Sequence, residues 1–387
     1  MTDARAAGRG ANDERPVGLV FDDRYLTHNT GLALIGDRHQ YPFAHPVAHP
    51  SSPELVGRAK HLMDLHGVSD RMTRIAPRLA TDDDLLVYHT LDYLARVAAL
   101  SAAEGGDTGD GAPIGPGGDR IARVSAGGTM AAVDAVLSGD VRAAYALVRP
   151  PGHHAMADHG KGFCVYNNVV VAARHAQRVH GVGKVLIVDW DVHHGNGTQD
   201  AFWRDPSALF VSLHQDNLFP PDWGALDQVG EDAGRGFTVN VPLPAGTGNA
   251  GYLAAFDRIV TPIARQFAPE LIFISAGQDA NVMDPLARMC VTLDGFRGMM
   301  ARLQAVANDC CDGRIVITQE GGYAAAYAPY CSAAVAETLV GLEPGAAPIA
   351  DPYGPRAESL PPSRDIGLDC EHAIERILEM QRAFWRV

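Results

Sequence analysis

The chain has 387 residues, 47% of them hydrophobic and 20% charged, a composition that excludes a disordered protein and supports a large buried core. Its formal net charge is −14, which argues against nucleic acid as a partner and would welcome a cationic substrate. Six cysteines without a C-x-x-C pair read as reduced thiols of a cytoplasmic protein, and no apolar run is long enough to predict a membrane span.

Residues 1–16 are polar, lack the apolar stretch of a signal peptide, and are expected to form a disordered tail. Short apolar, β-branched runs follow at Val17–Phe21, Tyr145–Val148, Val185–Val188, Ala208–Leu213, Phe237–Val241, Leu271–Ser275 and Arg314–Thr318. They read as buried parallel strands. Helical periodicity lies between many of them, over Pro53–Leu65, Asp83–Ser101, Ser125–Leu137, Asn167–Val179, Gly251–Gln266 and Leu293–Ala307. The alternation predicts a doubly wound α/β domain over residues 17–345. Two stretches rich in Gly and Asp, Glu104–Asp119 and Pro220–Gly236, read as long surface loops that shape the rim of a site. Residues 346–387 form an extension: Pro344–Pro362 is irregular, and an amphipathic helix over Cys370–Trp385 is expected to pack on the domain.

Four strands run directly into chemically loaded segments, and open parallel sheets bind ligands beyond the carboxyl ends of their strands. Val185–Val188 leads into Asp189-Trp190-Asp191-Val192-His193-His194, whose potential ligands recur every second residue. On extended backbone this places Asp189, Asp191 and His193 on one side. Two carboxylates and an imidazole so close call for a cation, and mixed oxygen and nitrogen donors suit Zn2+ or Fe2+. A hydrolytic zinc keeps one position open for water, so a third protein ligand is needed. Asp279, reached through Gly277 after Leu271–Ser275, is the best candidate; Asp284 competes, although Pro285 after it suggests a turn. The tandem His153-His154 follows a Pro-Pro-Gly turn and offers an acid and a base that titrate near neutrality. Tyr323 follows Gly321-Gly322 and could donate to a developing oxyanion. Phe163 and Phe219 could wall a narrow tunnel, with Gly162, Gly321 and Gly322 beside it.

Together these segments resemble the histone deacetylase superfamily, with its arginase-like α/β fold: a single-domain three-layer sandwich around a mostly parallel central sheet. The matching strings are ALVRPPGHHA (146–155), GFCVYNN (162–168), VDWDVHHGNGTQ (188–199), VSLH (211–214), SAGQDA (275–280), DPLARM (284–289) and EGGY (320–323). The nearest subgroup looks like the class II enzymes and the bacterial deacetylase-like or acetylpolyamine amidohydrolases. The resemblance implies one zinc (Zn2+) per chain on Asp191, His193 and Asp279. It implies His154 as general base and then acid, with His153 as its electrostatic partner oriented by Asp189. Asn196 would stand behind His154, as in class II, and Tyr323 would be the oxyanion donor. It further implies a structural potassium ion (K+) held by Asp189, Asp191, His193, Ser212 and Leu213, mostly through backbone oxygens. The substrate would be a small-molecule acylamide such as an acetylpolyamine, or an acetyl-lysine peptide, and the protein a homo-oligomer (dimer or tetramer). Gln278, where the family usually has an apolar residue, departs from the pattern and bears on substrate range. Two other readings remain: a binuclear ureohydrolase of arginase type, and a non-catalytic acyl-ligand binder on the same scaffold.

Overall fold

A computed structural model describes residues 15–33, 46–342, 346–354 and 364–387. Most of the tail expected over 1–16, and part of the irregular stretch 344–362, lie outside the described residues. Eight strands form one sheet: β1 (Val17–Val20), β2 (Met72–Ile75), β3 (Ala143–Ala146), β4 (Val185–Asp189), β5 (Ala208–Gln215), β6 (Thr238–Leu243), β7 (Leu271–Ala276) and β8 (Ile315–Gln319). Their order is β6-β5-β4-β7-β8-β3-β1-β2, and every neighbouring pair is parallel.

The sheet is apolar on both faces because helices cover both. Along β4, Leu186 and Val188 enter one core while Val185 and Ile187 enter the other. Each such fully buried aliphatic side chain contributes about 1.5–3 kcal/mol. Helix α1 (Glu54–Leu65) lines one face, and α2 (Leu91–Ala102), α3 (Gly118–Ser138) and α4 (Asn168–His180) line the other. With α1 pack α6 (Asn249–Ala255), α7 (Thr261–Phe267), α8 (Leu293–Cys310), α9 (Ala328–Val340) and α10 (Arg364–Gln381), whose Ile374, Ile377 and Leu378 are buried in that core. A short α5 (Asn196–Phe202) follows β4. No helix among the described residues is long and apolar enough to cross a membrane.

Several predicted elements differ in instructive ways. The predicted helix Asp83–Ser101 is two: a capped turn, Asp82–Leu85, and α2, whose N-cap Thr90 accepts the Tyr93 N–H. The predicted helix Gly251–Gln266 passes through a π-helical turn, Phe256–Val260, between α6 and α7. α3 starts seven residues before the predicted Ser125. β2 was not predicted, because as an edge strand it buries only Met72 and shows no apolar run. α5 and α9 were likewise not among the predicted helices.

The chain leaves β4 towards β5 and β6 on one side, and returns through β7 to β8 on the other. This switch opens a crevice beyond the carboxyl ends of β4 and β7, where parallel α/β sheets bind ligands. The four strands predicted to deliver chemistry are consecutive neighbours in the sheet, β4-β7-β8-β3.

Candidate active site

The strand β4 ends at Asp189, and the chain bends at Asp191–His193 rather than continuing extended. Asp189 therefore parts from the other two. Its Oδ2 lies 2.9 Å from His153 Nδ1 and its Oδ1 accepts the Asp191 N–H. Asp191 and His193 turn instead towards Asp279. Oδ1 of Asp191 is 3.2 Å, and Oδ2 of Asp279 3.0 Å, from His193 Nδ1. Backbone amides hold these carboxylates in place: Gly321 N–H donates to Asp191 Oδ2, and Val192 N–H to Asp279 Oδ1. One donor atom from each of Asp191, His193 and Asp279 lies within 4.8 Å of the others, and all three residues are buried.

Without a cation this trio coexists only by sharing protons. Burial pushes the Asp279 carboxyl up to about 8, and the Asp191 charge adds to it. Burial alone would lower His193, but hydrogen bonds to Asp191 and Asp279 outweigh it and raise the imidazole to about 10. A divalent ion relieves the same strain by charge, and two carboxylate oxygens with one imidazole nitrogen make a donor set of the zinc type. The residues present fit such an ion. Asp284, the competing candidate, is not in the trio. It accepts the Tyr323 and Leu286 N–H groups and so positions Tyr323.

Packing around the trio is too tight for any side chain at Gly321. A Cβ there would sit 2.4 Å from Asp279 Oδ2, 2.7 Å from Asp191 Oδ2 and 2.9 Å from the Tyr323 hydroxyl. That glycine thus lets the phenol and both carboxylates reach one small volume. Burial pushes the phenol well above its ordinary range, so it stays a protonated donor.

The tandem histidines follow β3. Glu320 Oε2, at the end of β8, accepts the Gly152 and His153 N–H groups and ties their turn to the neighbouring strand. The two rings lie 3.9 Å apart but have unlike partners. His153 Nδ1 faces the Asp189 carboxylate, whereas His154 Nδ1 faces the neutral Asn196 amide oxygen at 2.9 Å. Burial would lower His153, but Asp189 and Asp191 outweigh it and raise it to about 10. Burial holds His154 well below the usual imidazole range, helped by His153 and His193. One imidazole is therefore charged and the other neutral, which separates an electrostatic partner from a proton acceptor.

Phe219 lies edge-on to His154 at 5.1 Å, and Phe163 edge-on to Tyr323 at 5.6 Å, so the two predicted aromatics flank the centre. Gly162 (φ +50°) lies between: a Cβ there would meet His154 Cδ2 at 2.6 Å and Phe219 Cε1 at 2.8 Å. Gly321 and Gly322, with Glu320 and Tyr323, line a small cavity shared with Ser51, Leu55, Val148 and Arg149. Of the residues expected around potassium, Asp189 ends β4 and pairs in register with Ser212, which with Leu213 lies inside β5, while Asp191 and His193 are in the bend after β4; the Ser212 hydroxyl is bonded to His214 Nδ1. Gln278 is fully buried beside Asp279, its Nε2 donating to the Ala276 carbonyl.

Sequence reasoning assigned no role to four residues here. Glu320 braces the tandem histidines. Buried Arg149 donates to the carbonyls of Tyr25, His28 and Ser51, drawing the N-terminal segment over the inner cavity. His49 stacks edge-on against Phe163 at 4.6 Å. Lys161 Nζ sits 5.4 Å over the Phe219 ring and pairs with Asp110. The loop 104–119 thereby reaches this rim, and Asp110 and Gly111 also accept the N–H groups of Gly162 and Phe163. A charged residue next to a strand-end motif was the available signal for Arg149 and Glu320. His49 and Lys161 carried none.

Residues 49–339 match the histone deacetylase domain. The chain is 46% identical over 332 residues to a histone deacetylase-like amidohydrolase of Pseudomonas aeruginosa, covering 85% of this chain and 87% of that protein. It is 35% identical over 378 residues to a probable deacetylase of Archaeoglobus fulgidus, covering 95% and 98% respectively. The crystal structure of the HDA15 HD domain superposes with a TM-score of 0.81 at 33% identity, covering 96% of this chain and 95% of that one.

Proposed function

The chain belongs to the histone deacetylase family of amide hydrolases, and we propose that it is a zinc enzyme removing acetyl or related acyl groups from lysine side chains or polyamines. The observation that carries this reading is the meeting of Asp191, His193 and Asp279 in one volume with the Tyr323 hydroxyl, next to a neutral His154. Asp191, His193 and Asp279 would hold the zinc. When bound, the ion polarises the amide carbonyl and makes water a nucleophile near neutral pH.

The chain's own groups do the rest. Asn196 occupies His154 Nδ1, which leaves Nε2 to take a proton from the attacking water. The same nitrogen then returns that proton to the departing amine, so acetate and a free amine leave and the imidazole is neutral again. Tyr323 donates its O–H to the carbonyl oxygen as negative charge builds there. His153 keeps its proton, held by Asp189, and counters charge without exchanging it. Phe163 and Phe219 pack the acyl-bearing chain and exclude water. A potassium ion held between the end of β4 and Ser212–Leu213 of β5 would stiffen the Asp189–His193 turn, and a homo-oligomer in the cytoplasm is the setting this reading expects.

The test is turnover by the purified protein on acetyl-lysine peptides, trifluoroacetyl-lysine, acetylputrescine and acetylspermidine, with metal analysis alongside. One zinc per chain at the buried trio and turnover of at least one of these amides are expected. Tyr323→Phe should lower kcat by about 10²–10³, the cost of one oxyanion donor. Two manganese ions with ureohydrolase activity, or bound zinc without turnover of any acylamide, would sink the reading.

A further inference from the structure

Away from the active site, α3 and α4 carry a second group of metal-type donors. Asp134 lies on α3, and His175 and His180 on α4. Both imidazoles aim Nε2 at one carboxylate oxygen, Asp134 Oδ1, at 2.5 Å from His175 and 2.8 Å from His180. Five residues apart on a helix are about 140° apart in direction. The two rings nevertheless converge on Asp134, His180 being the last residue of α4. Their planes cross at 78°, with centroids 5.5 Å apart. The three donor atoms all lie within 4.8 Å of one another.

We propose that Asp134, His175 and His180 form a second transition-metal site, selective for a borderline dication such as Zn2+, which staples α3 to α4. Two imidazole nitrogens and one carboxylate oxygen are the donors such ions prefer over Mg2+ or Ca2+. Ligation at about 2.1 Å in tetrahedral geometry separates donors by about 3.4 Å. The present separations need to widen by less than 1 Å, and the exposed side chains permit it: Asp134 is 42% and His180 24% exposed, against 9% for His175. Solvent reaches the cluster from the Asp134 and His180 side, so water completes the coordination and the ion has an entry path. His180 lies in the last turn of α4, where the helix dipole favours positive charge. Its distance from the centre is set by α4: Asn167 and Asn168, which anchor the tandem-histidine loop to Ala155 and Pro150, are at the other end of that helix. The ion therefore acts on stability and not on the reacting groups.

Wild-type, Asp134→Asn and His180→Ala chains, each loaded with zinc and desalted into chelator-treated buffer, are compared for metal content, Tm and amidase activity. The wild type should hold one equivalent more than either variant and show the larger Tm rise with zinc, while activity is the same in all three. Equal metal content overturns the proposal. So does an extra equivalent that the wild type loses on desalting, since that marks loose adsorption by exposed histidines. Neither result touches the catalytic reading, which rests on the equivalent that all three chains share.

Discussion

At the scale of single residues, function depends on which partner each like residue meets. His153 and His154 are neighbours of the same type, yet an Asp stands behind one and an Asn behind the other, the difference on which their proposed roles as fixed charge and proton carrier rest. Lys161 shows the same logic at the rim. Its ammonium lies over Phe219, whose ring packs against His154, so a positive charge stands near the entrance to the centre. The exposed partner Asp110 offsets it only partly. A substrate with further ammonium groups a few ångströms from its amide meets repulsion there. Lys161→Glu should therefore raise kcat/KM for acetylspermidine relative to a neutral acetyl-lysine peptide by about tenfold, the effect of about 1.4 kcal/mol at a partly solvated charge pair. Paired kinetics on the two substrates check this, and an unchanged ratio would remove Lys161 from substrate choice.

At the scale of elements, the catalytic loops are held by hydrogen bonds to neighbouring secondary structure. His89, just before α2, bridges two of them: its Nε2 accepts the Asn167 N–H at the start of α4, and its Nδ1 meets the Met156 carbonyl. This pattern requires the neutral ring, and burial lowers its pKa to about 4. In the unfolded chain the ring protonates near 6.5. Between those values the unfolded chain binds the extra proton, so His89 costs stability as pH falls from about 6.5 to about 4 and is neutral in effect above it. The difference approaches about 3 kcal/mol at the acid end. Urea unfolding of the wild type and His89→Gln across this range should show the wild type losing its advantage as pH falls; parallel curves would contradict it.

At the scale of the whole molecule, the sheet and the proposed metal site depend on each other. The strand ends of β4, β7, β8 and β3 are stitched by groups of the centre: Gly321 to Asp191, Val192 to Asp279, and Gly152 to Glu320. The two buried carboxylates at the middle of this stitching need either a shared proton or an ion between them, and an ion relieves the strain by charge. Chelation should consequently destabilise the entire fold. A bound ion at a thousand times its Kd contributes about 4 kcal/mol, so calorimetry of chelator-treated Asp134→Asn protein, which lacks the second proposed site, should show a lower Tm, restored by zinc. A Tm indifferent to chelation would mean that the centre binds no ion tightly.

What the sequence determined by itself was local. Unbroken runs such as Val185–Val188 and Leu271–Ser275 read as strands buried on both faces, and the helical periodicity between them marks a doubly wound sheet. Motifs at strand ends named the trio, the tandem histidines and Tyr323, because residue type and position after a strand are written in one dimension. Tertiary structure decided what depends on distances between strands. It placed β4, β7, β8 and β3 side by side, turned Asp189 away from Asp191 by a bend after the strand, and brought Lys161, His49, Glu320 and Arg149 to the site. Their partners lie far away along the chain, as with Arg149 and Tyr25 or Lys161 and Asp110, and no spacing rule reaches across such a gap. The edge strand β2 escaped for the opposite reason: half exposed, it needs no apolar run, and pairing with β1 alone makes it a strand.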